Sequence, residues 1–116
     1  MYIERMGLKE EIRSKAESFA ALCSNHQVKY LYAFGSSMTD RFDEEKSDID
    51  LLVEIEVADP VEKGVKLMSL WDELEALFHR KVDLLTASSL TNPFLRRSVD
   101  ETKVLIYDGS GEKVLS

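Results

Sequence analysis

The sequence predicts an α/β fold, a small mixed β-sheet with helices packed on it, and three observations carry that expectation. Segments of helical and strand periodicity alternate along the chain in the order helix, strand, turn, strand, helix, strand, helix, strand. The first two strands are joined by too few residues for a parallel crossover, whereas the long helix after the second strand can carry the chain to a parallel neighbour. The composition, 44% apolar and 32% charged over 116 residues, is that of a globular protein with one core. Residues 1–116 are read as a single domain, of a size that buries roughly two thirds of the surface of its unfolded chain.

Each element has a local reason. From Leu8 to about His26, Ile12, Ala16, Phe19, Ala20 and Cys23 recur at spacings of three and four, with charges between them, which predicts one amphipathic helix. Cys23 is the only cysteine, so it forms no internal disulfide, and on the apolar side of that helix it reads as a buried thiol. Val28 to Phe34 is rich in β-branched and aromatic residues and ends at Gly35, a strand running into a tight turn. Ser37 to Arg41 reads as a short helical turn and Phe42 to Ser47 as a charged loop, before a second strand from Asp48 to Val57. Asp59 before Pro60 marks a helix start, and the core face of that helix is read from Val61, Val65, Met68, Trp71, Leu74, Leu77 and Phe78. Val82 to Thr86 is a third strand, charged only at Asp83. Asn92-Pro93 opens a helix to about Val99, Val104 to Tyr107 is a fourth strand, and the residues after Gly111 are expected to fray. His26 and His79 read as helix caps or solvated side chains, and His79-Arg80-Lys81 and Arg96-Arg97 as solvated helix ends.

Composition also excludes. A net charge of −7 and a pI near 4.8 argue against strong nucleic-acid binding by this chain alone, because that affinity comes mainly from neutralising phosphates. No apolar run is long enough to span a membrane, and Met1 to Lys15 interleave Glu4, Arg5, Lys9, Glu10, Glu11 and Arg13 with apolar residues, unlike a secretory signal; a cytoplasmic location is the expectation. The two histidines lack the paired spacing of a zinc site, residues 40–45 lack the glycine and alternate-oxygen spacing of a calcium loop, and neither a Walker loop nor a dinucleotide fingerprint is present.

The chemistry concentrates in two segments. Gly35 lets a backbone approach a phosphate closely, and Ser36 and Ser37 follow it with hydroxyls and amides that can donate to one. In Ser47-Asp48-Ile49-Asp50-Leu51-Leu52-Val53 the aspartates alternate with apolar residues, so Asp48 and Asp50 share one face of a strand while Ile49 and Leu51 enter the core. Two strand rises apart, about 6.5 Å, the carboxylates repel by ~0.6 kcal/mol in water and ~2.5 kcal/mol at an effective dielectric near 20. Folding asks for no such cost, and a divalent cation between them reverses its sign. Hard oxygen ligands of this kind suit Mg²⁺ or Mn²⁺.

A glycine turn, an Asp-x-Asp strand about a dozen residues later and a third aspartate alone in an apolar strand after a crossover helix together resemble a minimal nucleotidyltransferase of the DNA polymerase β-like superfamily. The matching residues are Gly35, Ser36, Asp48 and Asp50, with Asp83 in Lys81-Val82-Asp83-Leu84-Leu85 as third carboxylate, and the resemblance spans nearly the whole chain. It implies a polymerase β-like nucleotidyltransferase fold and transfer of a nucleoside monophosphate, AMP from ATP, to a hydroxyl acceptor. It further implies two Mg²⁺ ions on Asp48, Asp50 and Asp83, phosphate contacts from Gly35, Ser36, Ser37 and Arg41, and an antitoxin-type role beside a helical HEPN-type partner carrying the acceptor tyrosine. The family form Gly-Ser-x-Ala-Arg-Gly is not kept. Met38, Thr39 and Asp40 stand where alanine, arginine and glycine are expected, Arg41 comes two residues late, and Arg96 and Arg97 are alternative phosphate contacts. The competing expectation is a catalytically weak or inactive binding module that neutralises its partner by occlusion.

Overall fold

The computed structural model describes residues 8–34, 49–109 and 113–114. Its elements are α1 (Leu8–Ser14), α2 (Ala16–Asn25), β1 (Val28–Phe34), β2 (Ile49–Ile55), α3 (Pro60–Phe78), β3 (Val82–Thr86), a 3₁₀ turn (Ala87–Ser89), α4 (Pro93–Thr102), β4 (Val104–Asp108) and β5 (Lys113–Val114). The strands form one sheet in the order β3-β2-β1-β4-β5. β1 runs antiparallel to β2 and β4, and β2 runs parallel to β3. The sheet is therefore mixed, and the long crossover through α3 accounts for the parallel pair.

Each sheet face carries its own apolar cluster. On the larger side Leu31, Ala33, Ile49, Leu51, Val53, Val82 and Leu84 pack against Ile12 of α1, Phe19 and Cys23 of α2 and Leu70, Leu74 and Phe78 of α3. Phe19 is its hinge, with ring centroids 6.0 Å from Phe78 and, edge to face, 6.4 Å from Tyr107. On the opposite side Phe34, Leu52, Leu90 and Val99 cluster, with Tyr32 and Leu85 against them. β4 ends where Gly109 N–H donates to the Lys29 carbonyl at 2.8 Å, a position where a Cβ would strike the carbonyl of Val28.

Helix starts follow their caps. Asp59 accepts from Glu62 N–H at 3.2 Å with Pro60 in the first turn, and Asn92 accepts from Phe94 N–H at 2.9 Å with Pro93 behind it. α4 runs to Thr102, three residues past the expected Val99.

Several expectations are corrected. The single helix from Leu8 to His26 is two, broken at Lys15, whose ammonium donates to the Leu77 carbonyl at 2.8 Å near the end of α3. The second strand covers Ile49–Ile55 rather than Asp48–Val57, and Asp48 lies outside the described residues, as do the helical turn at 37–41 and the loop at 42–47. The core face of α3 is Leu70, Leu74 and Phe78, whereas Val61, Val65 and Met68 are 74%, 65% and 59% exposed. Trp71 lies at the rim of the core. Arg80 is no solvated helix end: its guanidinium is buried against Glu11 at 2.7 Å. His26 caps α2 but is buried. Its Nδ1 donates to the Leu22 carbonyl at 2.8 Å, and its Nε2 meets Glu73 at 2.8 Å and Ser69 at 3.0 Å on α3. His79 does cap α3, in a left-handed conformation with φ 56°. Beyond Gly111, Lys113–Val114 pair with β4 instead of fraying.

Candidate active site

β2 and β3 turn one aspartate each to the same side of the sheet. Ile49 and Leu51 are fully buried in the larger core, so the pleat sends Asp50 to the other face with Leu52. In β3, Val82 and Leu84 enter the larger core, which sends Asp83 to the face of Leu85. Parallel register makes Asp50 and Asp83 direct Cα partners, and Asp50 is also the partner of Phe34 at the end of β1. Neighbouring strands lie about 4.8 Å apart, so the two carboxylates face one another across a single strand spacing. Both are half-buried. At roughly 5 Å like charges repel by ~1 kcal/mol in water and ~3 kcal/mol at an effective dielectric of 20. A divalent cation bound there would offset that cost.

α3 holds β3 in place at the sheet edge. Trp71 Nε1–H donates to the Val82 carbonyl at 2.6 Å, and Val82 N–H donates to the Glu75 carboxylate at 2.9 Å. Both outward backbone groups of the residue before Asp83 are thus held by one helix. At the far end of the strand Ser89 Oγ accepts from Thr86 N–H at 3.1 Å and donates to the Thr86 carbonyl at 2.7 Å. These side chains also close an edge that would otherwise offer a template to another chain.

Of the residues expected in the site, Asp50 and Asp83 are brought together. Gly35, Ser36, Ser37, Arg41 and Asp48 lie outside the described residues, and among the described residues no group of three or more acidic, histidine or cysteine side chains converges. Two half-buried carboxylates on adjacent strands are a hard oxygen donor set, which fits Mg²⁺ or Mn²⁺ and not a soft-ligand metal. Arg96 and Arg97 sit exposed on α4, Arg97 bound to Glu101 at 3.0 Å. A depression of about 490 Å³ lined by Val53, Glu54, Lys63 and Thr86 lies toward the other ends of β2 and β3 and contains neither aspartate. Cys23 takes no part, since burial pushes its thiol up to about 12.

Three residues on the aspartate face are not marked by sequence reasoning. Tyr32 and Tyr30 lie ring to ring at 6.3 Å along β1, and Lys103 places its ammonium 5.1 Å from the Tyr32 ring centre. A lysine between a helix and a strand carries no motif; only the register of β4 could have singled it out.

A half-buried carboxylate pair at the start of two parallel strands, on a mixed sheet backed by helices, is the arrangement of a nucleotide-transferring enzyme, and the chain belongs to the nucleotidyltransferase domain family, whose model matches residues 15–106. It is 33% identical over 99 residues to the candidate protein adenylyltransferase MJ0126 of Methanocaldococcus jannaschii, covering 85% of this chain and 94% of that protein. It is 38% identical over 87 residues to MJ0128 of the same organism, similarly named, covering 74% of this chain and 82% of that protein. A solved structure described as a minimal nucleotidyltransferase superposes with a TM-score of 0.58 at 28% identity, over 88% of this chain and 98% of that one. The fold is also that of a toxin–antitoxin structure holding AMP-PNP, TM-score 0.57 at 19% identity over 83% of this chain and 76% of that one. Among the described residues no helix is long and apolar enough to cross a membrane.

Proposed function

We propose that this nucleotidyltransferase moves AMP from ATP onto a hydroxyl, a tyrosine of a helical HEPN-type partner protein, with Asp48, Asp50 and Asp83 as its carboxylates and Mg²⁺ as its ion. The observation that carries the reading is the pairing of Asp50 with Asp83 across β2 and β3 on one face of the sheet. The relatives named as protein adenylyltransferases support adenylyl transfer. One structure of the same fold is described as a tri-AMPylated HEPN toxin of Shewanella oneidensis in complex with an MNT antitoxin, which supports a partner of that class.

The chemistry follows from the residues. The acceptor oxygen attacks the α-phosphorus, the bond from that phosphorus to its bridging oxygen breaks, and pyrophosphate leaves. Bound on the carboxylates, divalent ions would supply charge stabilisation for the entering and leaving oxygens. Asp83, on the edge strand and half-buried, is the group that takes the proton of the attacking hydroxyl. Asp50, the inner member, is the register partner of Phe34 and serves to orient the triphosphate. Gly35, Ser36 and Ser37 would donate to its phosphates, and Arg41 would add a cation. The test is transfer itself: with the helical partner, ATP and Mg²⁺, the wild type adds AMP to the partner, and Asp50→Asn does not.

A second reading is favoured by Met38-Thr39-Asp40, which puts a carboxylate where a phosphate-binding loop wants none. Under it the chain neutralises its partner by occlusion alone, and the partner binds with no mass added.

A further inference from the structure

We propose that Lys103 is a triphosphate-binding residue of this transferase. The inference deepens the function proposed above and rests on it. Val104 at the start of β4 pairs with Ala33 of β1; the next residue of β1, Phe34, pairs with Asp50, and Asp50 pairs with Asp83. Lys103, the residue before Val104, therefore ends a row that crosses four strands as Lys103, Phe34, Asp50 and Asp83. Two strand spacings, roughly 10 Å, separate its backbone from that of Asp50.

The side chain lies on the correct face. Its ammonium sits 5.1 Å from the centre of the Tyr32 ring, and Tyr32 packs with Phe34 and Leu52 on the side of the sheet to which Asp50 is turned. One row thus carries two carboxylates at one end and a cation at the other, with a lysine stem and a triphosphate between them to close the gap. A triphosphate held at the carboxylates by divalent ions still carries excess negative charge on its outer phosphates, and that charge grows on the leaving pyrophosphate. The ammonium of Lys103 meets it there.

Its present partners are of the kind that exchange. Asp100 lies 3.4 Å away in a pair whose side chains are 36% and 57% exposed, the geometry of a surface ion pair worth little. The Tyr32 face adds a modest cation–π attraction. A phosphate oxygen offers a charge-assisted hydrogen bond stronger than either. Arg96 and Arg97 also stand exposed nearby on α4, Arg97 in a surface pair with Glu101, but neither belongs to this row, and Lys29 stands over Tyr30 at the other end of β1. The role is binding and charge stabilisation, with no bond made or broken at the lysine.

The experiment compares wild type, Lys103→Met, Lys103→Arg and Asp50→Asn. MgATP and magnesium tripolyphosphate are titrated calorimetrically, and pyrophosphate release is followed with the helical partner present. Lys103→Met should bind both ligands about tenfold more weakly or worse and raise KM for ATP by a similar factor, while Lys103→Arg restores most of the loss. The melting temperature of the apo protein should not move. Equal affinities and KM in wild type and Lys103→Met overturn the proposal and leave the transferase reading intact, as does a loss that Lys103→Arg fails to restore. A wild type that neither binds MgATP nor releases pyrophosphate overturns the transferase reading and this proposal together.

Discussion

Asp50 of β2 and Asp83 of β3 are direct partners across two parallel strands, turned to the same face while their neighbours Ile49, Leu51, Val82 and Leu84 fill the core behind them. The pleat and register that build the core are what bring the carboxylates together, so the site needs no special backbone. Its cost is electrostatic and local, and a bound divalent cation would reverse it.

That cost gives the first prediction. Asp83→Asn should leave apo stability unchanged or raise it slightly, because it removes repulsion with Asp50 and empties no core position. Millimolar Mg²⁺ with ATP should raise the melting temperature of wild type and not of Asp50→Asn or Asp83→Asn; at a ligand concentration one hundred times Kd the stabilisation is ~2.7 kcal/mol. Differential scanning fluorimetry measures both, and an equal ligand shift in the aspartate variants contradicts the site.

Glu11 and Arg80 give the second. Their buried pair at 2.7 Å ties α1 to the turn between α3 and β3, and Lys15 adds a contact to Glu11 at 3.5 Å. Glu11→Ala leaves the Arg80 guanidinium without its carboxylate in the protein interior, which costs about 3–5 kcal/mol. Urea denaturation should show the midpoint falling with little change in slope. A loss under ~1 kcal/mol would mean that water or another protein group compensates the arginine.

The clamp on β3 gives the third. Trp71→Phe removes the donor to the Val82 carbonyl and Glu75→Ala the acceptor from its N–H, each worth ~1 kcal/mol in stability. Because Val82 precedes Asp83, the double variant should lose more of its kcat for AMP transfer than its KM for ATP, since misplacing Asp83 acts on the reacting geometry. Unchanged kcat in a folded double variant would show that Asp83 is held by β2 alone.

Cys23 gives the fourth. With its thiol pushed up to about 12 by burial, the folded protein keeps that proton where the unfolded chain, ionising near 9, has lost it. The unfolded state is then favoured as pH rises, so stability falls between about pH 9 and 12, by up to ~1.4 kcal/mol per pH unit from this group. Native protein should resist a thiol reagent at pH 8 and react promptly once unfolded. Cys23→Ala should flatten the alkaline part of the stability profile; an unchanged profile would assign the slope elsewhere.

Much of this was legible in the residues and the remainder has a common cause. Alternation at Asp48 to Val53 and the caps Asp59-Pro60 and Asn92-Pro93 are local signals, and the strands and helices they predict are present. The face of α3 was legible only in its second half, where Trp71, Leu74, Leu77 and Phe78 do meet the core; the helix carries two apolar stripes, and Val61, Val65 and Met68 obey the same period as Leu67, Leu70, Leu74 and Phe78. Which stripe is buried depends on what the sheet presents. Arg80 finds Glu11 from 69 residues away, and Lys15 reaches Leu77 from 62, so neither the burial of the first nor the helix break at the second has a local signature. Asp83 is legible as the lone charge in an apolar strand, but its place beside Asp50 depends on the parallel register. Lys103 has no local signature.

The central claim is that the Asp50–Asp83 pair carries AMP transfer, and intact-mass spectrometry of the helical partner protein tests it most directly. After incubation with ATP, Mg²⁺ and wild-type protein the partner should gain one or more AMP masses. Asp50→Asn should abolish the gain, and Asp83→Ala should slow it at least ~10²-fold while the complex still forms. A partner that binds wild type tightly and gains no mass, or a gain that both aspartate variants support at the wild-type rate, contradicts the account.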